Sequence, residues 1–199
     1  MRIAFSADWH LAAQGSRADP GAGLNARLLD RLRCARFTLD QAVEHRAQLF
    51  LQGGDLFDSP RPTPTEVWLA REILDIASEE RLTIVHVLGN HEAARAPAEK
   101  HAIDLLPPRD RTWIGDAPGM IYFRDVQTDQ ANYGLLADRS QADLQIACLP
   151  WPNKQRLLGN EEYRRMAPGE LNQVVRDRML ECATALAASR LPNVPSILL

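Results

Sequence analysis

The chain has 199 residues, 45% of them hydrophobic and 25% charged, with a formal net charge of −3. That length can bury one sizeable core, and that charge excludes a globally basic nucleic-acid binder while leaving room for a local basic path. Eleven Gly and thirteen Pro without a period exclude collagen and low-complexity disorder, and no apolar run approaches the ~18 residues of a membrane span.

Residues 2–7 read as a first buried strand, central and parallel, ending at Asp8. Its apolar part is too short for a signal-peptide core, which predicts a cytoplasmic protein. Residues 11–24 read as a loop, and 25–47 as a helix with a stripe of Leu28, Leu29, Leu32, Leu39 and Val43. The Arg residues on its other side (Arg27, Arg31, Arg33, Arg36) read as a solvated face. Residues 49–52 are a second strand, stopped by Gly53-Gly54. Thr65 reads as the N-cap of a helix reaching about residue 80, with Val67, Ala70, Leu74 and Ala77 inward. A second apolar line of Leu69, Ile73 and Ile76, with Trp68, exceeds what one buried face needs and points to a partner. Residues 82–88 are a third strand, closed by Gly89. Strands alternating with helices predict parallel strands and an α/β fold.

The second half is less regular. Residues 97–106 read as a short helix with His101 at its surface, and 120–123, 133–137 and 144–149 as strands. A helix over 169–189 carries Leu171, Val175, Met179, Cys182 and Leu186, and 195–199 begin another strand. The cysteines Cys34, Cys148 and Cys182 form no CxxC pair and no zinc spacing, so they read as small core hydrophobes in a reducing compartment. No linker separates domains, and residues 1–199 read as one domain.

The chemistry sits where three strands end. The first ends in Asp8-Trp9-His10, the second in Gly54-Asp55-Leu56-Phe57-Asp58, the third in Gly89-Asn90-His91-Glu92. The carboxyl ends of parallel strands face one crevice. Carboxylates, imidazoles and a carboxamide therefore meet there, a donor set for Mn²⁺, Fe²⁺ or Zn²⁺ and for a two-metal phosphoryl site. On an extended segment the side chains of Asp8 and His10 point the same way and can grip one ion. Each motif alone is commonplace. Chance is a poor account of all three in this order, each after an apolar strand.

Together they resemble the calcineurin-like metallophosphoesterase superfamily over residues 1–92. The wording Ser6-Ala7-Asp8-Trp9-His10-Leu11, with Leu149-Pro150-Trp151-Pro152, is similar to one branch: the nuclease subunit of the bacterial SbcCD complex and its DNA-repair exonuclease relatives. The resemblance implies a layered αββα sandwich and two divalent ions, with Mn²⁺ the expected metal. Asp8 and His10 would bind the first ion, Asp55 would bridge both, and Asn90 would bind the second. His91 would act at the scissile phosphate, as general acid or transition-state stabiliser. Asp58 and Glu92 would orient loops and ligands. The implied reaction is in-line attack of activated water on a phosphodiester, with DNA as substrate. The implied partners are an SbcC-like ATPase subunit and a second copy of the chain.

The superfamily completes its site with further histidines, and this chain has none beyond His101. His45, His86 and His101 match no missing ligand. The expectation is a domain incomplete at its C-terminal side, inactive or nearly so by itself. The alternatives are a generic phosphodiesterase or phosphatase, and a non-catalytic module on the same core.

Overall fold

The structure is a computed structural model that describes residues 1–15, 17–94, 99–107, 111–124, 141–152, 163 and 165–199. They form two compact units, Met1–Ala94 with Lys100–Ile114, and Arg95–Glu99 with Gly115–Leu199.

The first unit carries a four-stranded sheet in the order β1-β2-β3-β4. Its strands are β1 (Ile3–Ser6), β2 (Leu49–Gln52), β3 (Thr83–Val87) and β4 (Thr112–Gly115). The first three are parallel and in register, with Phe5 beside Leu51 and Leu51 beside Val85. Helices α1 (Ala26–Glu44) and α2 (Pro64–Glu79) make the crossovers. The α/β fold expected from the strand–helix alternation is the fold observed.

Local chemistry sets each helix start. The Asn25 side chain accepts from Leu28 N and caps α1. Helix α2 starts at Pro64, capped by Thr63 rather than by Thr65. Thr63 and Glu66 form a reciprocal capping box, and Pro at the first helical position costs no hydrogen bond. Phe50 and Ile84 share one apolar cluster with Leu28, Ala35 and Leu39 of α1 and Ala70, Leu74 and Ala77 of α2. Leu69 and Ile73 are buried in that same cluster. Two of the three residues of the second apolar line are therefore used within the unit, while Ile76 is half-buried and Trp68 stays largely exposed.

Among the described residues strand β1 lies at the edge of its sheet rather than at the centre, and Phe5 is 66% exposed. A short apolar run carries no signal of which side its neighbours occupy. β4 was not expected, and 112–115 carry little apolar periodicity to announce it. His101 is buried rather than on a surface helix. It precedes a 3₁₀ turn (Ala102–Leu105), and its Nδ1 accepts from Ala94 N at 3.0 Å.

The second unit holds a three-stranded sheet, β5 (Gly119–Phe123), β6 (Leu144–Cys148) and β7 (Ser196–Leu198), with helix α3 (Pro168–Ala188). β5 and β6 are antiparallel, and β6 and β7 are parallel. Gln145 on β6 is fully buried and donates to the carbonyls of Leu191 and Val194, which fixes the return from α3 to β7. Burial pushes the Cys148 thiol up to about 11, so this cysteine is an inert core residue. The strand expected over 133–137 lies outside the described residues.

Candidate metal centre

The loops after β1 and β2 run side by side and extend the strand pairing beyond the sheet. Asp8 N donates to Gly54 O at 3.0 Å, His10 N to Asp55 O at 2.8 Å, and Leu11 N to Leu56 O at 2.8 Å. Apolar residues alternate with polar ones along the first loop, and in the second the pair Leu56-Phe57 separates Asp55 from Asp58. Trp9, Leu11, Leu56 and Phe57 are buried in the core, which leaves Asp8, His10 and Asp58 at the crevice. The indole of Trp9 donates to Ser6 Oγ at 2.9 Å.

Asp8, His10 and Asp55 all have positive φ, at 56°, 46° and 56°. The Asp8-to-His10 segment is therefore kinked, not extended. Left-handed backbone at non-glycine residues costs energy and clusters where a site dictates it. The kinks still bring the two side chains together, with Asp8 Oδ1 3.6 Å from His10 Nε2.

One ligating atom each from His10, Asp55 and His91 lie within 4.8 Å of one another. The His10 and His91 rings meet edge to face at 4.7 Å. Asp55 is buried, and its Oδ1 accepts from His91 N at 2.8 Å. Asp58 Oδ1 lies 2.9 Å from His10 Nδ1 and 3.4 Å from His91 Nδ1. The contact at His10 is bent, so this buried nitrogen has a charged neighbour but no aligned hydrogen bond. The Asp58 carbonyl lies 3.2 Å from His91 Nδ1. A carbonyl only accepts, which places the hydrogen on Nδ1 and leaves Nε2 for chemistry.

A family model for calcineurin-like phosphoesterases matches residues 1–174. The chain belongs to that family. Its reaction class is accordingly metal-dependent hydrolysis of a phosphoester, and the match extends well past the three motifs that first suggested it.

The phosphoesterase's own residues fit a divalent cation. The His10 imidazole and the Asp55 carboxylate, with Asp8 Oδ1 3.6 Å from His10 Nε2, suit first-row divalent metals of mixed nitrogen and oxygen preference. Asp8 is exposed, and Asn90, also exposed, directly precedes His91. Asp58 and Glu92 sit behind the cluster. Glu92 is fully buried; its Oε1 lies 2.6 Å from His86 Nε2 and accepts from Gly89 N at 3.1 Å, while its Oε2 accepts from Leu56 N at 3.1 Å. Burial alone would push the Glu92 carboxyl up. His86 and the Gly89 and Phe57 amides outweigh that and hold it below the usual carboxylate range.

His86 thus ties its strand to the third loop through Glu92, rather than packing idly or ligating. Sequence reasoning missed this pairing, because it appears only once β3 and its loop are placed. It also missed Gln14, Gln52 and the reach of Glu66. The Gln52 side chain closes the Gly53-Gly54 turn, accepting from Gly54 N at 2.6 Å and donating to Gly54 O at 3.0 Å.

Gly89 is demanded by close approach. A Cβ there would sit 2.2 Å from Asp55 Oδ1 and 2.3 Å from Asp55 N. Gly89→Ala must displace Asp55 or its loop. It is expected to cost at least about 1–3 kcal/mol in urea unfolding and to weaken metal binding as well. A Gly89→Ala protein of unchanged stability and metal affinity would show that the approach is looser than described.

Proposed function

We propose that the chain is a phosphodiesterase of the SbcD type, acting on DNA with Mn²⁺ in DNA repair, in the cytoplasm. The observation that carries the hydrolytic part is the convergence of His10, Asp55 and His91 at the ends of parallel strands. The choice of DNA rests on the motif wording, Asp8-Trp9-His10 and Pro150-Trp151-Pro152. An SbcC-like ATPase and a second copy of the chain are the proposed partners, supported by the resemblance alone.

Asp8, His10 and Asp55 would hold a first ion, and Asp55 with Asn90 a second. Bound there, divalent ions neutralise phosphate charge and lower the pKa of the attacking water. Asp55, the buried carboxylate of the cluster, would take the shared position that the family resemblance gives it. His91, with its side chain 41% exposed, faces the crevice and presents Nε2 to the phosphate. In its imidazolium form, with a hydrogen on each ring nitrogen, it would give the Nε2 proton to the leaving oxygen and keep the one on Nδ1. The described residues bring one such cluster together, so the chain is expected to hold at most one ion near Asp8, weakly, and to turn over slowly if at all.

Cleavage of DNA and of a chromogenic phosphodiester at enzyme excess, with and without Mn²⁺, tests this reading. Slow Mn²⁺-dependent cleavage of both is expected. Cleavage of the small diester alone would make the protein a general phosphodiesterase. His91→Ala should lose on the order of 10²-fold in turnover and keep its Mn²⁺ affinity. Collapse of the affinity would make His91 a ligand instead.

A further inference from the structure

Behind the cluster runs a chain of polar side chains that starts on α1. Arg31 projects from that helix toward the loop after β1. Its Nη1 donates to the carbonyl of His10 and, at 3.4 Å, to that of Ala12. Its Nη2 donates to Gln14 Oε1 at 3.0 Å. Gln14 passes the interaction on, because its Nε2 donates to Asp58 Oδ2 at 2.6 Å. The other oxygen of Asp58 is the one that faces His10 and His91.

We propose that Gln14, braced by Arg31, is a positioning residue that aims the Asp58 carboxylate at His10 and His91. The proposal rests on the reading of His10 as a metal ligand and of His91 as the catalytic group beside it. Three features single out Gln14. Its orientation is dictated by chemistry: a guanidinium only donates and a carboxylate only accepts, so the amide has one workable orientation between them. Its backbone is fixed independently, since Asn25 Nδ2 donates to the carbonyls of Gln14 at 3.1 Å and Gly15 at 3.0 Å. The preceding residue is fixed too, because Glu66 Oε1 accepts from Ala13 N at 2.7 Å. The N-termini of both helices therefore clamp the loop at this point.

The geometry also explains why such a brace is needed. His10 Nδ1 is buried without an aligned hydrogen bond, and Asp58 Oδ1 is the charged group at 2.9 Å. A carboxylate free to turn about its own bond would not hold two rings 4.7 Å apart in an edge-to-face pair. Fixing Oδ2 with Gln14 leaves Oδ1 one direction. Groups that orient metal-binding histidines typically change metal affinity about 10- to 100-fold when removed.

Gln14→Met keeps the side-chain length and removes both hydrogen bonds. Gln14→Glu replaces the donor with a carboxylate that repels Asp58. Long-range ¹H–¹⁵N spectra of the metal-free protein read the ring nitrogens of His10 and His91 directly, and thermal unfolding reads the fold. Both variants are expected to shift the Nδ1 resonances of the two rings and leave those of His45 and His101 in place. Mn²⁺ titration should then show binding about 10- to 100-fold weaker in both variants. Unmoved His10 and His91 resonances in either folded variant would overturn the proposal. So would shifts with an unchanged Mn²⁺ affinity. Should both variants unfold, Arg31→Lys is measured instead. It keeps a cation beside His10 but loses the fork that reaches Gln14, and it must move the same two resonances for the proposal to stand. A wild-type protein that binds no Mn²⁺ would sink the metal reading separately, and the ring spectra would still decide the role of Gln14.

Discussion

Asp55→Asn is expected to weaken Mn²⁺ binding by more than about 100-fold, beyond what loss of a residue behind the ligands costs. The substitution is nearly isosteric, so it separates charge from shape. Its side-chain oxygen can still accept from His91 N, the contact that joins the second and third loops. It can also still fit beneath Gly89, where no Cβ intrudes. What it lacks is the negative charge placed among two imidazoles. Calorimetric titration of the variant, with unfolding melts as a control, measures both properties. Unchanged affinity with an unchanged melt would remove Asp55 from the ligand set. A large loss of stability with intact affinity would make it a loop tie and nothing more.

The largest stability effect belongs to Glu92. This carboxylate is fully buried and links β3 to the loops after β2 and β3, through His86, Leu56 N, Phe57 N and Gly89 N. Glu92→Ala strips a partner from the buried imidazole and orphans those amides. Breaking one side of a buried pair costs about 3–5 kcal/mol, a large part of a typical domain's stability. The same residue carries a pH dependence. Its folded pKa lies below its unfolded value near ~4.3, so its contribution is fully present above about pH 4.3. The contribution is lost as pH falls through the depressed folded value. Urea midpoints measured from pH 7 down to pH 3 should therefore fall more steeply below about pH 4.3 in the wild type than in Glu92→Gln. Parallel curves for the two proteins would contradict that assignment.

The elements that position the site were legible because their signals are local. Helix α1 begins at the Asn cap, β2 occupies the run between Gln48 and Gly53, and β3 falls within the apolar stretch before Gly89. The alternation of strands and helices was enough to give parallel pairing and hence one crevice. What stayed hidden depends on neighbours distant in sequence. The edge position of β1 among the described residues follows from sheet order, which no single strand encodes. Leu69 and Ile73 looked like a surplus face until α1 was packed beside α2. The candidate ligands were legible as residue types, but their relation was argued from extended geometry that the positive φ angles of Asp8 and His10 rule out. Arg31 read as a solvated cation because nothing in its helix shows that the loop carbonyls of His10 and Ala12 lie beneath it.

In the proposed site His10 and Asp55 hold a divalent cation that His91 serves without binding. Pulsed electron paramagnetic resonance of Mn²⁺ bound to protein labelled with ¹⁵N-histidine tests it directly. One imidazole coupling is predicted, absent in His10→Ala and retained in His91→Ala. A spectrum with no histidine coupling, or one in which His91→Ala abolishes it, would contradict the claim.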